Sequence, residues 1–217
     1  MMLIDGLLRL LFPPKCVLCG KLLQKRETDL CHRCRVEGPE YGGVHNPLPF
    51  IDGWEVIWYY EDVARESILR FKFSGARWQA GCYGRLLAMR LTQLAWDFDE
   101  ITWVPTASRR QRKRGYDQVQ LLADAVAVQL ERKPRKLLDK IRNNPPQSGI
   151  SGQAQRRANV MGAYRISKDA DVKGKCILLL DDVITTGATA SEAARVLLTA
   201  GAKKVYCAAM AKARHDG

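Results

Sequence analysis

The stretch that decides the fold is Ile177-Leu178-Leu179-Leu180-Asp181-Asp182-Val183-Ile184-Thr185-Thr186-Gly187-Ala188-Thr189. Its first four residues form a continuous apolar run, as expected of a central strand buried on both faces. The strand delivers two adjacent acids to its carboxyl end, and a short hydroxyl-rich loop with one glycine then opens a helix. In open α/β sheets this is where ligands bind. Backbone amides of Thr186 to Thr189, helped by the hydroxyls of Thr185, Thr186 and Thr189, suit a terminal phosphate. Asp181 and Asp182 stand where they can accept hydrogen bonds from sugar hydroxyls, so a sugar phosphate fits both halves. A capped structural turn is the alternative, but two carboxylates side by side repel one another, and a purely structural turn would avoid that.

Outward from this segment, strand and helix patterns alternate. Strands are predicted over 101–104, 163–166, 176–181 and 205–210, with helices over 117–130 and 188–200. Such alternation implies a parallel sheet with helices on both faces. Nearer the amino terminus, 54–60 reads as a strand, and 63–72 and 83–96 as helices with Leu86, Leu87, Met89, Leu91 and Leu94 in the core. The run from Glu37 to Pro49, rich in Gly and Pro, marks a boundary between a 1–50 module and a 51–217 main domain. At 217 residues the chain buries roughly 70% of its unfolded surface, enough for one full α/β core with a small attachment.

The net charge of +12 excludes nothing by itself, but its placement is uneven. Residues 101–160 hold 13 Lys or Arg against four Asp or Glu, so something anionic is expected to approach this side; a solvated basic face is the plain alternative, above all for Arg132-Lys133-Pro134-Arg135-Lys136. The apolar stretch from Leu3 to Phe12 is too short to span a bilayer and lacks the flanks of a signal peptide. No membrane insertion and a cytoplasmic location are therefore expected.

Cys16-x2-Cys19 and Cys31-x2-Cys34, eleven residues apart, place two thiolate pairs on two turns. Four thiolates at about 2.3 Å would complete a tetrahedral, structural Zn2+ site with no open position for water. A redox dithiol pair or an iron–sulfur cluster is the other reading of this spacing. His32 is a bystander. Cys82, Cys176 and Cys207 are scattered among apolar neighbours and read as buried, inert thiols.

The acid-and-threonine segment resembles the phosphoribosyl pyrophosphate signature of type I phosphoribosyltransferases. The chain as a whole, over 14–214, resembles the ComF family: a four-cysteine, zinc-ribbon-like module, then a phosphoribosyltransferase-like parallel sheet flanked by helices, with Arg114-Gly115-Tyr116-Asp117-Gln118 between. In that family the position of Asp117 is commonly Asn.

The resemblance implies a 51–96 hood over a 97–217 core. It assigns Asp181 and Asp182 to the ribose hydroxyls and Thr185, Thr186, Gly187, Ala188 and Thr189 to the 5′-phosphate. Thr106, Ala107, Ser108, Arg109 and Arg110 fall in the loop for the diphosphate and its Mg2+. A flexible loop would close over the substrate with Arg142, grouped with the acids as catalytic, and Gln147, Arg156 and Arg157; a disordered connector would suit the same composition. The implied function is transfer of a phosphoribosyl group to a nitrogenous acceptor, in natural competence and DNA uptake. A non-enzymatic adaptor working with a competence helicase, or a single-stranded DNA-binding module, is the alternative. Trp54, Trp58, Tyr59, Tyr60 and Phe73 could stack on an acceptor ring, although such spacing more often builds core.

Overall fold

A computed structural model of the chain describes residues 13–142 and 153–214. In chain order the elements are α1 (His32–Glu37), β1 (Gly53–Tyr59), α2 (Asp62–Phe73), α3 (Gln79–Leu91), β2 (Glu100–Trp103), α4 (Ser108–Arg114), α5 (Gln118–Gln129) and β3 (Leu138–Lys140). They continue with α6 (Gln153–Val160), β4 (Tyr164–Ile166), β5 (Cys176–Ile184), α7 (Ala188–Thr199) and β6 (Lys204–Lys212).

The predicted apolar strand, β5, sits inside a parallel four-stranded sheet of order β1-β6-β5-β2. Leu178 and Leu180 pack toward a first face with α2, α3 and α5, while Ile177 and Leu179 pack toward a second face with α7 and the antiparallel β3–β4 hairpin. All four are fully buried, which is why the run carries no polar alternation. The helices press closely on one another: a Cβ on Gly84 of α3 would lie 2.6 Å from that of Ala125 on α5.

Both sheet edges are covered. Outside β1, the segment 39–41 pairs through Tyr41 N to Ile57 O (3.0 Å) and Tyr59 N to Pro39 O (2.7 Å). Outside β2, Arg135 N donates to Ile101 O at 2.8 Å. Blocking exposed edges in this way removes a template for aggregation. The run 37–49 is therefore not a slack linker, and Tyr41 within it is buried.

Two more expectations change in position. The 51–96 segment, expected as a hood, contributes β1 to the same sheet as the core, paired with β6 from Gly53↔Tyr206 to Tyr59↔Lys212, and two helices to its first face. The four-cysteine module is likewise docked: Cys16, Val17, Leu18, Leu30 and Cys34 belong to the first-face core. The carbonyl of Val17 accepts from Ser67 and from Gln79 Nε2 (3.0 Å), and that of Leu18 accepts from Arg70. Asp29 forms a two-pronged ion pair with Arg85 on α3, at 2.5 and 3.0 Å. A module too small for a core of its own thus borrows one from α2 and α3. Among the described residues no helix is long and apolar enough to cross a membrane.

Candidate functional site

The chain leaves β2 through α4 to α5 on the first face and leaves β5 toward α7 on the second. Neighbouring strands whose connections depart to opposite faces define a topological switch point, and a crevice opens between their carboxyl ends. β5 runs on to Ile184, three residues past the predicted end, whereas β2 stops at Trp103 opposite Leu180, with one further bond from Val104 N to Leu180 O (2.9 Å). Asp181 and Asp182 therefore remain paired to β6 on one side and face the crevice on the other.

Successive strand residues alternate across the sheet, so the two acids meet different surroundings. Asp182 faces α2 and α5: its Oδ1 lies 2.9 Å from Lys72 Nζ, and its Oδ2 accepts from Gln118 Nε2 at 2.9 Å. Burial acts against its ionisation, but Lys72 and then Gln118 outweigh it and hold the carboxyl below its usual range. Asp181 faces the hairpin and, among the described residues, accepts from the amide of Asp182 at 2.8 Å. Burial, with the charge of Asp182 behind it, pushes Asp181 up to about 7. The repulsion expected of the pair is thus relieved by one acid holding a cation and the other tending to keep its proton.

The second wall of the crevice is the loop after β2. Asp117 caps α5 by accepting from Val119 N (3.0 Å) and Gln120 N (3.4 Å), and the same carboxylate accepts from Thr106 N (2.8 Å) and Thr106 Oγ1 (3.0 Å). It thereby ties the expected diphosphate loop to the helix. An Asn, the residue common in the resembling family, keeps the capping oxygen but loses an acceptor. Ser108, Arg109 and Arg110, expected in that loop, lie instead in the first turn of α4, because the run Ser108–Arg114 contains no helix breaker before Gly115, which closes the helix with φ +77°. Ser108 and Arg109 are exposed, and Arg110 is half-buried.

At the loop expected to hold a phosphate, Gly187 adopts φ +78° ahead of α7, and a Cβ there would lie 2.6 Å from Leu48 Cδ2, so glycine is favoured. Thr186 Oγ1 accepts from Ala188 N at 3.4 Å. Beneath the loop, buried Lys212 donates to the carbonyl of Thr185 at 2.7 Å. Thr185, Thr186, Ala188 and Thr189 thus flank or open the start of α7.

The remaining expected residues are not all gathered there. Arg142 is exposed, two residues past the end of β3, and donates to the carbonyl of Met161 at 3.4 Å. Gln147 lies outside the described residues. Arg156 and Arg157 fall on α6, a helix inside the polar stretch read as a loop. Trp54 and Trp58 are buried, while Phe73 is 67% exposed beneath the guanidinium of Arg114, 4.7 Å from the ring centre. Sequence reading missed Lys72, Gln118, Lys140 and Lys212. Lys140, on β3, lies 3.2 Å from the Tyr164 hydroxyl, and burial followed by the charge of Arg110 lowers it to about 8. Gln118 closes the Arg114–Gln118 segment that carries the resemblance, without a role implied for it, and no local pattern sets the three lysines apart from the others in the chain.

The four thiols of Cys16, Cys19, Cys31 and Cys34 lie within 4.8 Å of one another, with Cys19 and Cys31 at 3.7 Å. Sulfurs 2.3 Å from a tetrahedral zinc stand about 3.8 Å apart, so the set fits one structural zinc. The acid pair does not fit a directly bound divalent cation in the same way, since the Lys72 ammonium already neutralises Asp182 and Asp181 tends to hold a proton. Cys82 and Cys207 are buried as expected, and burial pushes the Cys82 thiol up to about 12; Cys176 is half-buried.

Comparison with known proteins agrees with both halves. The Phosphoribosyl transferase domain family matches residues 120–217, and the Double zinc ribbon domain family matches 7–43. Competence protein F of Haemophilus influenzae is 29% identical over 209 residues, covering 92% of this chain and 85% of that protein. DNA utilization protein YhgH of Salmonella typhi is 35% identical over 209 residues, covering 88% of each. Among solved structures, the glutamine phosphoribosylpyrophosphate amidotransferase of B. subtilis aligns with a TM-score of 0.41 at 20% identity, over 64% of this chain and 30% of that one.

Proposed function

The chain belongs to the ComF family, and from that premise we propose that it binds phosphoribosyl pyrophosphate in the switch-point crevice and passes the phosphoribosyl group to a nitrogenous acceptor during DNA uptake and use. The observation that carries this reading is the convergence of the acid pair, the glycine-closed phosphate loop and the Asp117-tethered loop on one crevice. The amides of 185–189 take the 5′-phosphate, with the Lys212 ammonium behind them. Asp181 and Asp182 take the ribose hydroxyls, and Thr106 to Arg110 take the diphosphate.

In the reaction the acceptor nitrogen's lone pair forms the bond to C1 while the C1–O bond breaks and its electrons leave with the diphosphate. Positive charge grows on the sugar and negative charge on the leaving group, so fixed amides and arginines serve better than a strong base. Mg2+ accompanies the diphosphate in the type I phosphoribosyltransferases that the segment resembles. Calorimetric titration with phosphoribosyl pyrophosphate, with and without Mg2+, tests the assignment. The native protein should bind, and the Asp181→Asn, Asp182→Asn double variant should bind at least about tenfold more weakly, about 1.4 kcal/mol. Absence of binding by the native protein overturns it.

A second reading, contact with single-stranded DNA alongside a helicase partner, is favoured by the charge of 101–160 and by the names of the relatives. The cations reserved for that contact are already partly engaged: Arg132 with the Asp99 carbonyl (3.2 Å), Arg135 with Glu100 (3.0 Å) and Lys136 with Asp139 (2.6 Å). Fluorescence anisotropy of labelled single-stranded DNA at low salt, with and without saturating phosphoribosyl pyrophosphate, should show partial competition. No binding at low salt removes this reading.

A further inference from the structure

We propose that Lys72 is a resident counter-ion of the acid pair, and that it sets the crevice to accept an uncharged sugar diol while refusing a divalent cation directly on Asp182. The inference starts from position. Lys72 is the penultimate residue of α2, and its ammonium crosses to the end of β5, 2.9 Å from Asp182 Oδ1, with about a sixth of each side chain exposed. The other oxygen of Asp182 is held by Gln118, whose own carbonyl oxygen accepts from Arg114 Nη1 at 2.6 Å. Asp182 is therefore fixed from two helices and already neutralised.

A metal ion arriving at Oδ1 would have to evict the ammonium and leave it mostly buried without that partner, a costly exchange. Hydroxyls ask for less. Each carboxylate oxygen has a second lone pair, so a diol can donate to the pair while Lys72 stays in place. The counter-ion is also placed by the metal module. Within the same helix, Ser67 and Arg70 bond the carbonyls of Val17 and Leu18 beside the first thiolate pair. α2 is thus held on the zinc knuckle through its middle and last turn, and the same last turn carries Lys72 to the acids.

The proposal rests on the sugar-phosphate reading of the crevice, but its test needs no sugar. Zinc-loaded protein is titrated with Mn2+ alone at a pH above the Asp181 value, and free Mn2+ is read by electron paramagnetic resonance. Native protein and Lys72→Arg should bind weakly at this site. Lys72→Met, which removes the one ammonium paired directly with Asp182 Oδ1, should bind at least about tenfold more tightly, and adding Asp182→Asn should abolish the gain. Far-UV circular dichroism and zinc content confirm that each variant is folded; if Lys72→Met fails this check, Lys72→Gln replaces it. Equal Mn2+ affinity in native and folded Lys72→Met or Lys72→Gln protein overturns the proposal. So does a gain that survives Asp182→Asn. Failure of the native protein to bind phosphoribosyl pyrophosphate would overturn the functional reading and leave this result standing.

Discussion

The zinc knuckle and the end of β5 are built on opposite plans. The four sulfurs come from 19 consecutive residues, so two tight turns suffice to bring them together, and the chain outside only supports the result. The acids at 181 and 182 are adjacent in sequence, yet what distinguishes them arrives from far away: Lys72 from α2, Gln118 from α5, Lys140 and Tyr164 from the hairpin. A metal site can be specified by spacing, because the ion does the organising. A pair of buried carboxylates cannot, because each must find its own compensation in the folded core.

If the knuckle were a free-standing bead, breaking it would leave the sheet untouched. Val17 and Leu18 are instead fully buried in the first-face core. Cys16→Ser or Cys19→Ser is therefore expected to remove zinc and to destabilise the whole chain by several kcal/mol, below the roughly 10 to 16 kcal/mol of an isolated finger peptide. Thermal unfolding followed by near-UV circular dichroism, which reports on buried aromatics of the sheet such as Trp54, Trp58 and Trp103, decides this; an unshifted transition would show that the two regions fold separately.

The acids should respond with opposite signs. Asp182→Asn removes the partner of a mostly buried ammonium and should cost about 3 kcal/mol. Asp181→Asn should stabilise, because the native carboxyl, raised to about 7, stays protonated where its unfolded counterpart is already ionised. The folded state then binds the extra proton, so the stability from this group is fully present below about pH 4 and is lost as pH rises through about 7. Urea unfolding across that range should show the advantage of Asp181→Asn growing with pH and levelling above 7. A constant difference would mean that the two acids do not differ as described.

Asp117→Ala should cost about 1–2 kcal/mol, the worth of a helix cap, and should also loosen Thr106. Asp117→Asn, which keeps the capping oxygen, should recover most of the stability; if it recovers phosphoribosyl pyrophosphate affinity as well, the tether to Thr106 matters less than the cap. At the small end, Arg135→Ala should change stability by under about 0.5 kcal/mol, since its partner pair lies at a half-exposed surface. A larger loss would show that the basic run is structural.

Sequence alone determined what is local or periodic: the β5 run, because a strand buried on both faces has no room for polar residues; the helix start at Gly187; and the zinc ligands, because their spacing is the site. The folded structure decided what depends on distance. It extended β5 past the end of β2, which is what exposes the acids to the crevice, and it turned Asp181 and Asp182 toward different faces. It converted Ser108–Arg110 into helix and drew the expected hood strand into the core sheet. It also selected Lys72 and Lys212 from 35 cationic side chains. Charge compensation inside a core is set by which helix end lies over which strand end, and no pattern of neighbours along the chain records that.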